Sequence, residues 1–207
     1  MAATIDTLQE EFGNGSSVWF DHGRGNLPRC VVRSDWGEMD VYLQGAHLAR
    51  WKPADSSPVL WLSGSSRFES GQPIRGGVPI CFPWFGPREG DPDAPSHGFA
   101  RWLPWEVEAV TTDEAGQVVV RMGLSDNDPT RDLWPHAFYL QYTITLGQTL
   151  DYALRTTNTG DEPIEMEEAL HTYFAVSDVR SVAITGLEGV TYHSKVESGR
   201  FTQDDAP

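Results

Sequence analysis

The sequence predicts an all-β protein made of two packed antiparallel sheets, and three observations carry that prediction. Period-two alternation of apolar and polar residues recurs wherever the chain is not rich in Gly and Pro. Helical periodicity is hard to find after the opening segment. Roughly ten short candidate strands, separated by turn signals, suit a sandwich.

In chain order, the first candidates are PRCVVR from Pro28, MDVYLQG from Met39, PVLWL from Pro58, WEVEAVT from Trp105 and QVVVRMGL from Gln117. DEAG, between the last two, is a turn signal. In FYLQYTITL, Phe138, Leu140, Tyr142, Ile144 and Leu146 point one way. Tyr139, Gln141, Thr143 and Thr145 point the other way, as in a strand with one buried face. TLDYALRTTN repeats the pattern with Leu150, Tyr152 and Leu154 inward, and the intervening GQ reads as a two-residue, Gly-first hairpin turn. NTGDEP marks the next turn before IEMEEAL, and later strands are expected from Leu170 to Val176 and from Ser181 to Thr185. Ser63 to Arg101 is the exception, a stretch of Gly, Pro and aromatic residues with little alternation. Ordered loops of that length are usually functional.

At 207 residues and 23.0 kDa the chain fits one domain spanning 1–207. A formal net charge of -15 sets the average field against nucleic acid and anionic membranes, so an anionic ligand needs a local exception. Cys30 and Cys81 are too few for a disulfide scaffold and read as buried free thiols in a reducing compartment. With no basic leader and no long apolar run, the expectation is a soluble cytoplasmic protein, most simply a monomer.

Three short elements could carry chemistry: PIRGG with Arg75, SHGFAR with His97 and Arg101, and ALHTYF with His171. Arg75 is either a structural ion-pair residue or a ligand contact, with Gly76 and Gly77 letting a ligand approach the backbone. His97 is a solvated turn residue or a hydrogen bonder, and Arg101, four residues on, either pairs a surface glutamate or holds an anion from the same loop. A lone strand histidine such as His171 is more often a satisfied core residue than a catalyst. Phe82, Trp84 and Phe85 are either core or a stacking wall for a sugar ring, stiffened by Pro79, Pro83 and Pro87. No G-x-S-x-G elbow, Walker loop, HExxH or paired CxxC is present, and His97, His136, His171 and His193 lack metal-ligand spacing. No metal is expected.

At these elements the sequence resembles the hexose-6-phosphate mutarotases (glucose-6-phosphate 1-epimerases) of the aldose 1-epimerase superfamily. GQPIRGGVPICFPWFGP, SHGFARWLPWEV and ALHTYFAVSDVRSVAITGLEGVTY occur in the family's order. The resemblance implies a large antiparallel β-sandwich of the galactose mutarotase type and a cofactor-free isomerase that interconverts the anomers of hexose 6-phosphates. It implies His171 as general acid at the ring oxygen and His97 as a residue orienting the sugar. Arg75, Arg101, Gln72, Phe82 and Trp84 would be substrate contacts.

The family's general base is a glutamate well beyond the HTYF segment, and a ligand-binding aspartate usually follows in the next strand; nothing before Pro207 matches either. The resemblance therefore implies a fold lacking its C-terminal strands. Glu165 and Glu167 are expected on a solvated strand face, alternating with Met166, and neither they nor Glu168 is expected as a substitute base. A shortened enzyme and a relative that binds without turnover both fit. The alternative function is a non-catalytic sugar-phosphate-binding module, and a more distant one is a protein-interaction sandwich.

Overall fold

The computed structural model describes residues 3–194 and 199–202. The chain divides into two compact units, Met1–Ala175 and Val176–Pro207.

The first unit opens with helix α1 (Ile5–Phe12), whose N-terminus is capped by the Thr4 hydroxyl accepting from the Thr7 N–H. An antiparallel meander follows: β1 (Val18–His22), β2 (Pro28–Ser34), β3 (Gly37–Tyr42) and β4 (His47–Pro53). The β3–β4 register shifts between Asp40 and Val41, so β4 carries a bulge. The short β5 (Ile80–Cys81) comes next, and then a second four-stranded meander. It contains β6 (Glu106–Thr112), β7 (Val118–Ser125), β8 (Phe138–Leu146) and β9 (Leu150–Asn158). Helix α2 (Asp128–Leu133), absent from the sequence expectation, lies between β7 and β8 with Asn127 and Thr130 forming a reciprocal capping box.

The inward side chains of the two meanders form one apolar cluster. Val18, Phe20, Cys30, Val32, Met39, Val41 and Leu48 come from the first, and Val118, Val120 and Met122 from β7 of the second. The five expected inward residues of β8 are at most 1% exposed. Burying each apolar side chain of this size stabilises by about 1.5–3 kcal/mol, so β8 anchors the interior. This is the expected mostly antiparallel β fold.

Several boundaries differ from expectation. β1 and β4 were not anticipated, since VWFDH and HLARWKP mix charged residues into short runs. PVLWL forms only isolated bridges, at Leu60 to Phe174 and Leu62 to Gly76. IEMEEAL contributes only β10 (Ala169–Leu170), which pairs with β5, and the segment to Val176 is otherwise held by isolated contacts. The GQ turn is a three-residue loop, because Leu146 pairs with Leu150, and Gly147 does not take the positive φ that a Gly-first turn needs.

The second unit holds a 3₁₀ turn at Val179–Ser181, where a strand was expected from Ser181. A hairpin follows, β11 (Thr191–Ser194) paired with β12 (Gly199–Thr202).

Candidate functional site

The site is assembled on segment 75–83, which bonds to three neighbours. The Val78 N–H donates to the Leu48 carbonyl on β4 (2.9 Å), and the His171 N–H donates to the Pro79 carbonyl (3.0 Å). Trp61, Gly77 and Tyr173 close a ring of main-chain bonds. The Trp61 N–H donates to Tyr173 (2.9 Å), Tyr173 to Gly77 (2.9 Å) and Gly77 to Trp61 (2.7 Å). Three stretches far apart in sequence are thereby fixed at one point.

The paired glycines serve this junction. Gly77 has φ of +63°, and a Cβ there would lie 2.4 Å from the Leu48 carbonyl oxygen and 2.8 Å from His47 Nε2. At Gly76 a Cβ would meet the Trp61 carbonyl oxygen at 2.6 Å. The glycines thus admit the chain's own backbone, and Gly76 also lines the cleft beside this junction.

Beside the junction is a cleft of about 890 Å³ lined by arginines 67, 75 and 101, by His97 and Gln72, and by the rings of Trp61 and Tyr173. Serines 63, 65 and 96 add hydroxyls, and the lining contains no Asp or Glu among the described residues. None of the three guanidiniums forms an ion pair among the described residues. Arg101 donates to the Ser96 carbonyl (2.6 Å), while its buried Nε has no partner among those residues. Burial pulls the Arg101 guanidinium below its ordinary value; Cys81 and Tyr173 oppose that shift, and the like charge of Arg75 adds to it. A guanidinium still keeps its proton, so the cleft is a cationic exception in an acidic protein.

The two site histidines meet. Their ring centroids are 5.9 Å apart at 88°. His171 stacks on Tyr173 (4.9 Å, 19°) and on Phe85 (6.0 Å, 19°). Rings in these two stacks hold the imidazole plane and leave its edge, where the nitrogens lie, for hydrogen bonding. His97 packs edge-on against Phe85 at 4.7 Å. Its Nδ1 accepts from the Gly86 N–H (3.1 Å), so a neutral ring carries its proton on Nε2 and donates from there.

The aromatic wall differs from the expected one. Phe82 is 0% exposed and packs against Phe99, Trp134 and Phe138, and so belongs to the interior. Trp84 is 7% exposed, its indole N–H donates to the Pro95 carbonyl, and its face is covered by Arg88. The exposed rings at the site are Trp61 and Tyr173, which line the cleft, and Phe85, which packs on the two histidines. Trp61 lies in PVLWL, expected only as a strand, Arg67 lies in a stretch without periodicity, and Tyr173 was legible only as the residue two beyond His171 in the expected strand.

Glu167 is exposed, as expected. Its Oε2 also accepts from the Phe85 N–H (2.8 Å), next to the Gly86 N–H that holds His97. His136 packs on Trp134 at 4.6 Å, away from the two site histidines, and the side chain of His193 lies outside the described residues.

Residues 31–206 match the family profile described as aldose 1-epimerase. The chain belongs to the aldose 1-epimerase family. Over 174 residues it is 42% identical to an Escherichia coli K12 protein provisionally named glucose-6-phosphate 1-epimerase, covering 84% of this chain and 57% of that one. A plant relative from Cenchrus ciliaris with the same provisional name is 33% identical over 173 residues, covering 79% and 52%. The crystal structure of YeaD from Salmonella typhimurium, provisionally described as a mutarotase, superposes with a TM-score of 0.83 at 35% identity, over 92% of this chain and 62% of that one. This aldose 1-epimerase family chain thus spans a little over half the length of the curated relatives it matches. No described helix is long and apolar enough to cross a membrane.

Proposed function

We propose that the protein binds hexose 6-phosphates and interconverts their α and β anomers. The observation that carries this reading is one cleft lined by His97 and by the unpaired guanidiniums of Arg75 and Arg101, with the His171 ring packed 5.9 Å from His97. A phosphate monoester is a dianion that arginines bind through paired N–H bonds, and the imidazoles supply the proton chemistry that a hemiacetal needs.

His171 gives a proton to the ring oxygen as the bond from that oxygen to C1 breaks. A base takes the proton of the C1 hydroxyl, whose electrons form the aldehyde carbonyl. Rotation about C1–C2 followed by the reverse transfers closes the other anomer. The His97 Nε2–H donates to a sugar oxygen and fixes the ring, and the faces of Phe85 and Tyr173 exclude water. Only protons move, so the reaction calls for no cofactor.

One observation favours a second reading. The cleft lining offers no carboxylate to take the C1 proton among the described residues. A sugar-phosphate-binding module without turnover uses the same arginines and rings. The readings separate in NMR exchange spectroscopy of the anomeric signals of glucose 6-phosphate. Exchange faster than the spontaneous rate, at protein concentrations that also give saturable binding, supports the isomerase. Binding with no added exchange supports the module, and absence of binding overturns both.

A further inference from the structure

We infer that the cleft contains a second anionic subsite at Arg67, so that hexose phosphates bearing a second phosphate bind more tightly than monophosphates. This rests on the reading of the cleft as a sugar-phosphate site and adds a ligand class to it.

The first argument is local structure. The stretch carrying Arg67 is clamped to Arg75 by two bonds. The Ser63 N–H donates to the Arg75 carbonyl (3.0 Å), and the Arg75 N–H donates to the Ser66 hydroxyl (2.9 Å). Ser66 is 7% exposed, so this hydroxyl is a built part of the fold and fixes the backbone next to Arg67. The adjoining loop is tied down as well. Buried Gln44 donates to the Glu69 and Gln72 carbonyls (3.1 and 2.8 Å) and accepts from the Gly71 N–H (2.9 Å). Arg67 is therefore presented by a braced segment beside Arg75.

The second argument is charge. Arg67, Arg75 and Arg101 all line the cleft, without a carboxylate in the lining among the described residues. A single phosphate monoester carries about −1.5 to −2 charges, which two guanidiniums balance. The third is surplus to one phosphate. Ser63 and Ser65, whose hydroxyls are 3.0 Å apart, line the cleft with Arg67 and can donate to further oxygens. The cleft volume, about 890 Å³, lies toward the upper end of the ~300–1,000 Å³ range of small-molecule sites and has room for a second group.

The test compares dissociation constants of glucose 6-phosphate and glucose 1,6-bisphosphate by isothermal titration calorimetry, with wild type, Arg67→Ala and Arg67→Lys. An exposed guanidinium contact predicts a preference of about fivefold for the bisphosphate in wild type. Arg67→Ala brings the ratio to about one, and Arg67→Lys, which keeps the charge, retains most of it. Equal affinities in wild type, or a preference that survives Arg67→Ala, overturn the subsite while leaving the sugar-phosphate reading intact. Wild-type protein that binds neither ligand overturns that reading, and the subsite falls with it.

Discussion

The interior between the sheets and the cleft both hold polar atoms that no described protein group satisfies, but burial acts differently on the two sets. In the interior, both ring nitrogens of His47 and the Tyr142 hydroxyl lack hydrogen-bond partners among the described residues. Burial outweighs the nearby Gly76 backbone and pushes His47 down to about 3, and it raises the Tyr142 phenol, so both stay neutral. Neutral orphans bring desolvation without compensation and lower stability. In the cleft the unsatisfied groups are guanidiniums, which cannot escape by losing a proton. An anionic ligand can supply what the fold withholds, and the comparison teaches that only the second set is poised for binding.

The largest effect tests the cleft side. His171→Ala should lower the enzyme-catalysed anomer exchange rate by about 10²–10⁴-fold while leaving glucose 6-phosphate affinity largely in place, because the acid acts in the transition state. Equal rates for variant and wild type would remove His171 from the chemistry.

Next comes acid stability, which tests the interior side. The unfolded His47 takes up a proton below its ordinary value of 6.5, whereas the folded one does not until about 3. The unfolded state therefore binds more protons in that window, and stability falls as pH drops, by about 1.4 kcal/mol per unit from this group. Urea unfolding at a series of pH values should show that slope reduced by one proton in His47→Leu. An unchanged slope would mean that His47 titrates normally in the fold.

Arg101→Ala should weaken glucose 6-phosphate binding by about tenfold or more, as expected for a charge-assisted bond from a half-buried donor. Titration calorimetry reads this directly, and unaltered affinity would break the contrast drawn above. The smallest effect has the opposite sign. Tyr142→Phe removes an unsatisfied hydroxyl from a fully buried position and should raise unfolding free energy by about 1 kcal/mol. A loss of stability would reveal a partner for that hydroxyl.

Legibility in the sequence followed the physics of each element. β8 could be read residue by residue because one regular face packs on one continuous core, so period two maps directly onto burial. Segment 73–87 could be identified as special, but which of its rings are buried could not be read. Phe82 and Trp84 turn inward and Phe85 outward, because the segment bonds to β4, to the Trp61 stretch and to the His171 stretch in turn. No local periodicity encodes those distant partners. His97, His171, Arg75 and Arg101 were named from motifs, and the fold brings His97 to His171 and both arginines to one cleft. Glu167 and Arg67 were missed as contributors, since a carboxylate bonding a distant N–H and an arginine in an aperiodic loop look like ordinary surface residues in a chain with thirty acidic and fifteen basic ones.

Trp61 gives the cleft an optical property. Of the eight tryptophans in the chain it alone lines the cleft among the described residues, 46% exposed and 5.9 Å from the Tyr173 ring. Its indole dipole relaxes against water in the empty cleft and loses that water when a sugar covers it. Occupancy should therefore shift the emission of this single fluorophore toward the blue, giving the protein a label-free reporter of its own filling.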